Sequence, residues 1–157
     1  MENGAETYQF QGEEIKDNNS NFLSDFLGGY ALHKVITDDL GIPVDFEYVT
    51  VNEAFEFLTG KIKDKLIGRR VTEVFPQIES SSFNWIGVLG HIGLDNSRAR
   101  FSYFSENHQK WFSISAFSTK KGYFATFLDD ITKMKMSEFR FDYQKEEIER
   151  LILESRK

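Results

Sequence analysis

Three histidines, no cysteine and a few acid pairs bound the chemistry open to this chain. Without a thiol there is no cysteine nucleophile, thiolate metal site, disulfide or sulfur-tethered cofactor. His33, His91 and His108 never stand at i, i+4, and no HExxH or EF-hand spacing occurs. Haem would need an axial ligand, most often His. His91 is the candidate on a helix, but it lies off the face defined by Trp85, Leu89 and Ile92. His33 reads as a strand residue and His108 as a turn residue, and we expect both to be exposed. Glu13-Glu14, Asp38-Asp39 and Glu146-Glu147 read as turns and solvated faces. Gly87, Gly90 and Gly93 lack the spacing of a phosphate loop, so helix flexibility or close packing explains them better. Lys61, Lys63, Lys65, Arg69 and Arg70 face only Asp64; they read as a solvated loop able to touch an acidic partner. Asp130 ends an apolar run and needs a partner, which gives it a junction role.

The unusual composition is aromatic: 16 Phe, 6 Tyr and 2 Trp among 157 residues. Such bulky walls suit an internal cavity. With the apolar face of each strand taken as inward, that cavity is lined by Phe46, Tyr48, Trp85, Leu89, Phe101, Tyr103, Phe112, Ile114, Phe124 and Leu128. The tyrosine hydroxyls are its expected polar handles, favouring an apolar ligand with one hydrogen-bonding group. A small cavity enzyme, such as an isomerase or hydrolase, would need a carboxylate or His beside the apolar wall. The inward strand residues read as apolar or small, so we expect no catalysis.

The elements that hold these residues follow from periodicity. The length fits one domain. The net charge of −6 is concentrated in residues 1–29, which hold six acids and one Lys. No basic footprint for nucleic acid and no apolar run of membrane-spanning length occur. The acidic start MENGAETYQF is not a signal peptide, and we expect a cytoplasmic protein. Residues 1–21 read as a polar leader and 22–29 as a short cap helix ended by Gly28-Gly29. Residues 30–36 and 44–51 form a hairpin. Asn52 caps a helix ending at Gly60, and short helices follow near 62–67 and 72–75. Trp85, Val88, Leu89 and Ile92 mark one face of a further helix. Its three glycines leave it mobile unless packed, each costing about 1 kcal/mol relative to Ala. Strands near 98–105, 110–118 and 122–131 form a meander. Residues 133–157 are helical, with Met134, Phe141 and Ile148 seven apart, Ile131 and Ile152 alongside, and Glu138 and Lys145 interrupting the row. The sum is an α+β layer pair, a five-stranded antiparallel sheet with helices on one face.

Several runs resemble a family. YVTVNEAFEFLTG looks like the second strand and first helix of a PAS domain. DKLIGRRVTEVFP resembles that family's segment ending in Phe-Pro. WIGVLGHIGLDNSRARF falls where its long helix and next strand lie, and KWFSISAF and GYFATFLDDIT resemble its last two strands. The ending Asp130-Ile131-Thr132 is similar to the Asp-Ile-Thr signature that leads into a signalling helix. The resemblance covers residues 29–132 in order. It implies a PAS fold over 30–132 and a sensory or interaction module that binds a small molecule or dimerises. It implies regulation, through residues 133–157, of a histidine kinase or diguanylate cyclase output domain outside this sequence. Light-sensing relatives that link flavin or a thioester chromophore need a cysteine, which this chain lacks. In haem-binding relatives the axial His often stands on the long helix, whereas the slot of His91 is often a solvated Lys or Arg. We therefore expect no haem and no flavin, leave an unidentified ligand open, and expect a colourless protein. We expect a homodimer whose seam is Phe22, Phe26, Met134, Phe141, Ile148 and Ile152. A ligandless dimerisation module is the alternative.

Overall fold

A computed structural model describes residues 28–156. Strand β1 (Gly29–Thr37) turns into β2 (Pro43–Val51). The turn is tied by the Asp38 carboxylate, which accepts from the Leu40 and Ile42 amides at 2.9 and 3.0 Å. Strands β3 (Arg98–Ser105), β4 (Lys110–Lys120) and β5 (Tyr123–Asp130) follow as the meander. All pairs are antiparallel and the order is β2-β1-β5-β4-β3. Hairpin and meander therefore meet through β1 and β5, with Ala31 opposite Thr126 and His33 opposite Phe124.

Helix α1 (Glu53–Thr59) starts at Asn52 and ends at Gly60, whose φ of 69° suits a residue without a Cβ. The Asn52 side chain accepts from the amides of Phe55 and Tyr30 and donates to the Gly28 carbonyl. One cap thus fixes both the helix and the start of β1. Two single-turn helices come next, α2 (Lys63–Leu66) and α3 (Val71–Val74), before a 3₁₀ turn at Pro76–Ile78. Between them the backbone runs along the free side of β2. The Tyr48 amide donates to the Arg69 carbonyl, and the Gly68 amide donates to the Tyr48 carbonyl. This covers an edge that would otherwise invite pairing with another chain. Buried Asp45 fastens the same segment by accepting from the Thr72 hydroxyl at 2.6 Å.

Helix α4 (Trp85–Leu94) lies on the sheet and buries Leu89, Gly90, Ile92 and Gly93. Its glycines are a packing requirement. A Cβ at Gly90 would stand 2.3 Å from Pro43 Cβ, and one at Gly93 would stand 2.6 Å from Val35 Cγ2. The propensity cost of glycine is offset by a close approach to β1 and β2, so the weak helix is held by packing. The core fills the space between the inner sheet face and α1, α2, α3 and α4. Helix α5 (Thr132–Ser155) leaves the sheet after β5. Its 24 residues reach about 36 Å. No described helix is long and apolar enough to cross a membrane.

Candidate functional site

The inner face of the sheet carries two linked aromatic groups. Around β1, β2 and β5, His33 lies stacked on Phe124 with ring centroids 4.7 Å apart. Phe46 and Tyr48 meet the same imidazole at 5.0 and 4.9 Å. Around α4 and β3, the Trp85 ring stands 5.6 Å from Phe101 and 5.4 Å from Tyr103, which reaches Phe112 at 5.8 Å. These spacings are those of favourable tilted and edge-on pairs. All ten residues read from the sequence as cavity lining belong to this one cluster. Phe46, Tyr48, Leu89, Phe112, Phe124 and Leu128 are buried, while Trp85, Phe101, Tyr103 and Ile114 are partly buried against them. Phe83, which the sequence reading did not include, completes the outer group at 4.4 Å from Trp85.

His33 corrects an expectation. It is 3% exposed, not a solvated strand residue. Its Nε2 shares a 3.0 Å hydrogen bond with Thr126 Oγ1, while Nδ1 is buried with no partner among the described residues. Burial holds the imidazole pKa down at about 3, because a charged ring would lie among apolar neighbours. The face is thus less purely apolar than its alternation implies, and tyrosines are not its sole polar groups. Burial raises the Tyr48 hydroxyl, with the neighbouring Tyr103 adding to it, and pushes Tyr103 up to about 12. Burial thus favours the neutral form of His33, Tyr48 and Tyr103 alike. The signal that places His33 was available: Ala31, His33 and Val35 share one parity, and the outer two are buried. His91 and His108 do lie at the surface, beside Asp95 at 3.7 Å and Ser105 at 2.9 Å.

The exit from the sheet is the second built feature. Asp130 Oδ1 accepts from the Thr132 amide at 3.0 Å and the Thr132 hydroxyl at 2.6 Å. Its Oδ2 lies 3.2 Å from Lys110 Nζ. The Thr132 hydroxyl above all holds the Asp130 carboxyl below the usual carboxylate range; burial opposes it, and the Thr132 amide and Lys110 add lesser downward effects. Thr132 Oγ1 also accepts from the Trp111 amide, and the Ile131 amide donates to the Trp111 carbonyl. Trp111 in turn lies 6.1 Å from Phe139, with Lys135 Nζ 5.5 Å above its ring. The first two turns of α5 are thereby tied to β4 and β5. Met134 in the first turn, and Phe141, Ile148 and Ile152 further along, stand about half or more exposed, whereas Ile131 is half-buried at the junction. Phe22 and Phe26 lie outside the described residues.

No family model matches the sequence, and no curated protein matches it. Solved structures do. An RNA-binding light-oxygen-voltage receptor aligns over 92% of this chain and 41% of its own, with 17% identity and a TM-score of 0.55. A domain of an HTR-like protein from Haloarcula marismortui aligns over 68% of this chain and all of its own, at 16% identity and a TM-score of 0.49. A sensory box sensor histidine kinase from Vibrio cholerae aligns over 72% and 89%, at 17% identity and a TM-score of 0.49. The chain has the PAS fold.

In this PAS sheet, the central strands β1 and β5 carry both features. Their inner residues His33, Phe124, Thr126 and Leu128 form the floor of the aromatic core, and β5 ends in the Asp130 clasp.

Proposed function

We propose that the chain is a non-catalytic sensory PAS module that transmits a change in its aromatic core through Asp130, Ile131 and Thr132 to α5, and from there to an output domain. The observation that carries this is the clasp itself. One carboxylate and one hydroxyl join β4, β5 and α5, while among the described residues α5 beyond its first turns touches little else. A histidine kinase or a diguanylate cyclase fits such a helical input. Exposed Met134, Phe141, Ile148 and Ile152 support a parallel pairing of two α5 helices, which would place two outputs side by side. The ligand surface is the one formed by Phe46, Tyr48, Trp85, Leu89, Phe101, Tyr103, Phe112, Ile114, Phe124 and Leu128. A bound molecule would act only by its different affinity for two packings of sheet and helix.

Catalysis is disfavoured by the one inward His. A group with a pKa of about 3 is a weak base, far from the value a general base needs near neutral pH. A second reading, a ligandless dimerisation module, is favoured by rings only 4.7–5.1 Å apart around His33 and Phe124. Fusing residues 1–157 to a heterologous histidine kinase in helical register tests the transmission. Thr132→Val and Asp130→Ala should each fix output at one level while core unfolding stays cooperative. Output that remains as regulated as in the unaltered fusion would refute it. Native mass spectrometry and absorption of the same protein separate the two readings: retained mass or a chromophore supports a ligand, and the bare chain supports the ligandless module.

A further inference from the structure

The two edges of the sheet differ. The free side of β2 is covered by the backbone at Gly68 and Arg69. Strand β3 ends the sheet on the other side and, among the described residues, pairs only with β4. It is eight residues long, contains no proline and shows no register shift against β4, so its ladder is unbroken. Parity decides what this edge offers. The Ser118 amide donates to the Ser97 carbonyl at 3.0 Å, and Arg98 stands opposite Phe117. Residues of an antiparallel pair exchange ladder bonds at every second position. The amides and carbonyls of Ala99, Phe101 and Tyr103 therefore point at β4, and those of Arg100, Ser102 and Phe104 point outward. Side chains flank the edge on both faces. On the outer face, Arg100 Nε donates to Ser113 Oγ at 3.1 Å, Arg98 stands two residues before it, and Phe104 is 43% exposed. On the inner face, Phe83, 37% exposed, lies 5.4 Å from Phe101. Residues 96–105 hold Arg98 and Arg100 and no acid, in a chain of net charge −6.

We propose that β3 is a docking edge for an extended acidic segment of a partner protein, which adds to the sheet as a further strand. Backbone bonds to Arg100, Ser102 and Phe104 hold the segment, and its side chains alternate between the two faces. Acids fall beside the arginines on the outer face, and apolar residues fall against Phe101 and Phe83 on the inner one. Cross-strand pairs of opposite charge are favourable and like charges set opposite each other are not. That rule makes a second copy of β3 the poorer occupant. The outward groups of the second strand also belong to its even-numbered residues, so antiparallel pairing gathers all its arginines and those of the first strand on one face. No acid of either strand lies between them.

The full chain tests this by fluorescence anisotropy and amide hydrogen exchange, with an octapeptide of alternating Glu and Val as the probe. Binding should saturate and slow the exchange of the Arg100, Ser102 and Phe104 amides. The Ala99, Phe101 and Tyr103 amides, already held by β4, should change little. Arg100→Glu should weaken binding about 5–10-fold, since it turns an attraction into a repulsion. Ser102→Pro removes an outward N–H and leaves the bonds to β4 in place, so it should weaken binding at least ~5-fold while the variant unfolds as cooperatively as the unaltered chain. Where that variant does not fold, Arg100→Glu, which leaves the backbone intact, decides alone. An octapeptide of alternating Lys and Val should bind more weakly than the acidic one. No saturable binding up to about 1 mM, a weak affinity even for a short peptide, would overturn the proposal. Exchange slowed at residues 61–70 instead of β3, or binding that Arg100→Glu leaves unchanged, would also overturn it. So would β3 amides whose protection rises with protein concentration in the absence of peptide, because a second copy would then hold the edge.

Discussion

Acidification acts on this domain through a ring that cannot take up a proton without leaving the core. In the folded chain burial holds His33 at about 3, against an ordinary value of 6.5. Above 6.5 both folded and unfolded chains hold the ring neutral, and its protonation contributes nothing to the pH dependence. Below 6.5 the unfolded chain binds a proton that the folded chain refuses, so stability falls as pH falls, until the folded ring also protonates near 3. Each unit in that window costs about 1.4 kcal/mol. The whole window of about 3.5 units removes up to ~5 kcal/mol, comparable to the total stability of a marginal domain. At about pH 4.5 the loss is ~3 kcal/mol, or ~5–10 °C in melting temperature for a chain of this size. His33→Phe isolates this effect. The new ring keeps the stack on Phe124 but strands the Thr126 hydroxyl, a pH-independent cost of about 1–3 kcal/mol. Urea unfolding of both proteins from pH 7.5 to 4 should show the unaltered protein losing stability more steeply, by about one proton. Equal slopes, or an NMR titration of folded His33 with a midpoint near 6, would refute the argument.

Three further outcomes follow from the geometry. Gly90→Ala should destabilise by about 1–3 kcal/mol despite its better helix propensity, because the new Cβ meets Pro43 at 2.3 Å; a urea midpoint that rises would show that α4 can lift away freely. Thr132→Val removes both the bond to Asp130 and the acceptor for Trp111, so the amides of Trp111 and Thr132 should exchange ~3–10-fold faster while those of β1 stay protected; unchanged exchange would mean that the clasp holds nothing. Phe141→Asp with Ile148→Asp should convert a dimer into a monomer without unfolding residues 30–131, and sedimentation showing the unaltered chain monomeric at high micromolar concentration would remove the proposed seam.

Local physics writes much of this structure in the sequence. Alternation along 44–51 marks a strand because one face of it is buried, and Asn52 and Gly60 mark the ends of α1 because those positions need a side-chain acceptor and a left-handed backbone. The Asp130-Ile131-Thr132 junction was legible for the same reason: its bonds span two residues. What the sequence left open depends on partners far along the chain. The neutral state of His33 is set by Phe124 and Thr126, more than 90 residues away and brought alongside only when β1 pairs with β5. Its parity with Ala31 and Val35 allowed the inner face, yet the sequence reading left His33 exposed because an imidazole is at home in either setting, and only the assembled ring cluster decides that it is buried and uncharged. Gly90 and Gly93 read locally as weakness, and the approach of α4 to Pro43 and Val35 turns them into a requirement. Whether the aromatic side chains enclose space or fill it is likewise decided in three dimensions, because residue volumes are known from the sequence while the angles between rings are not.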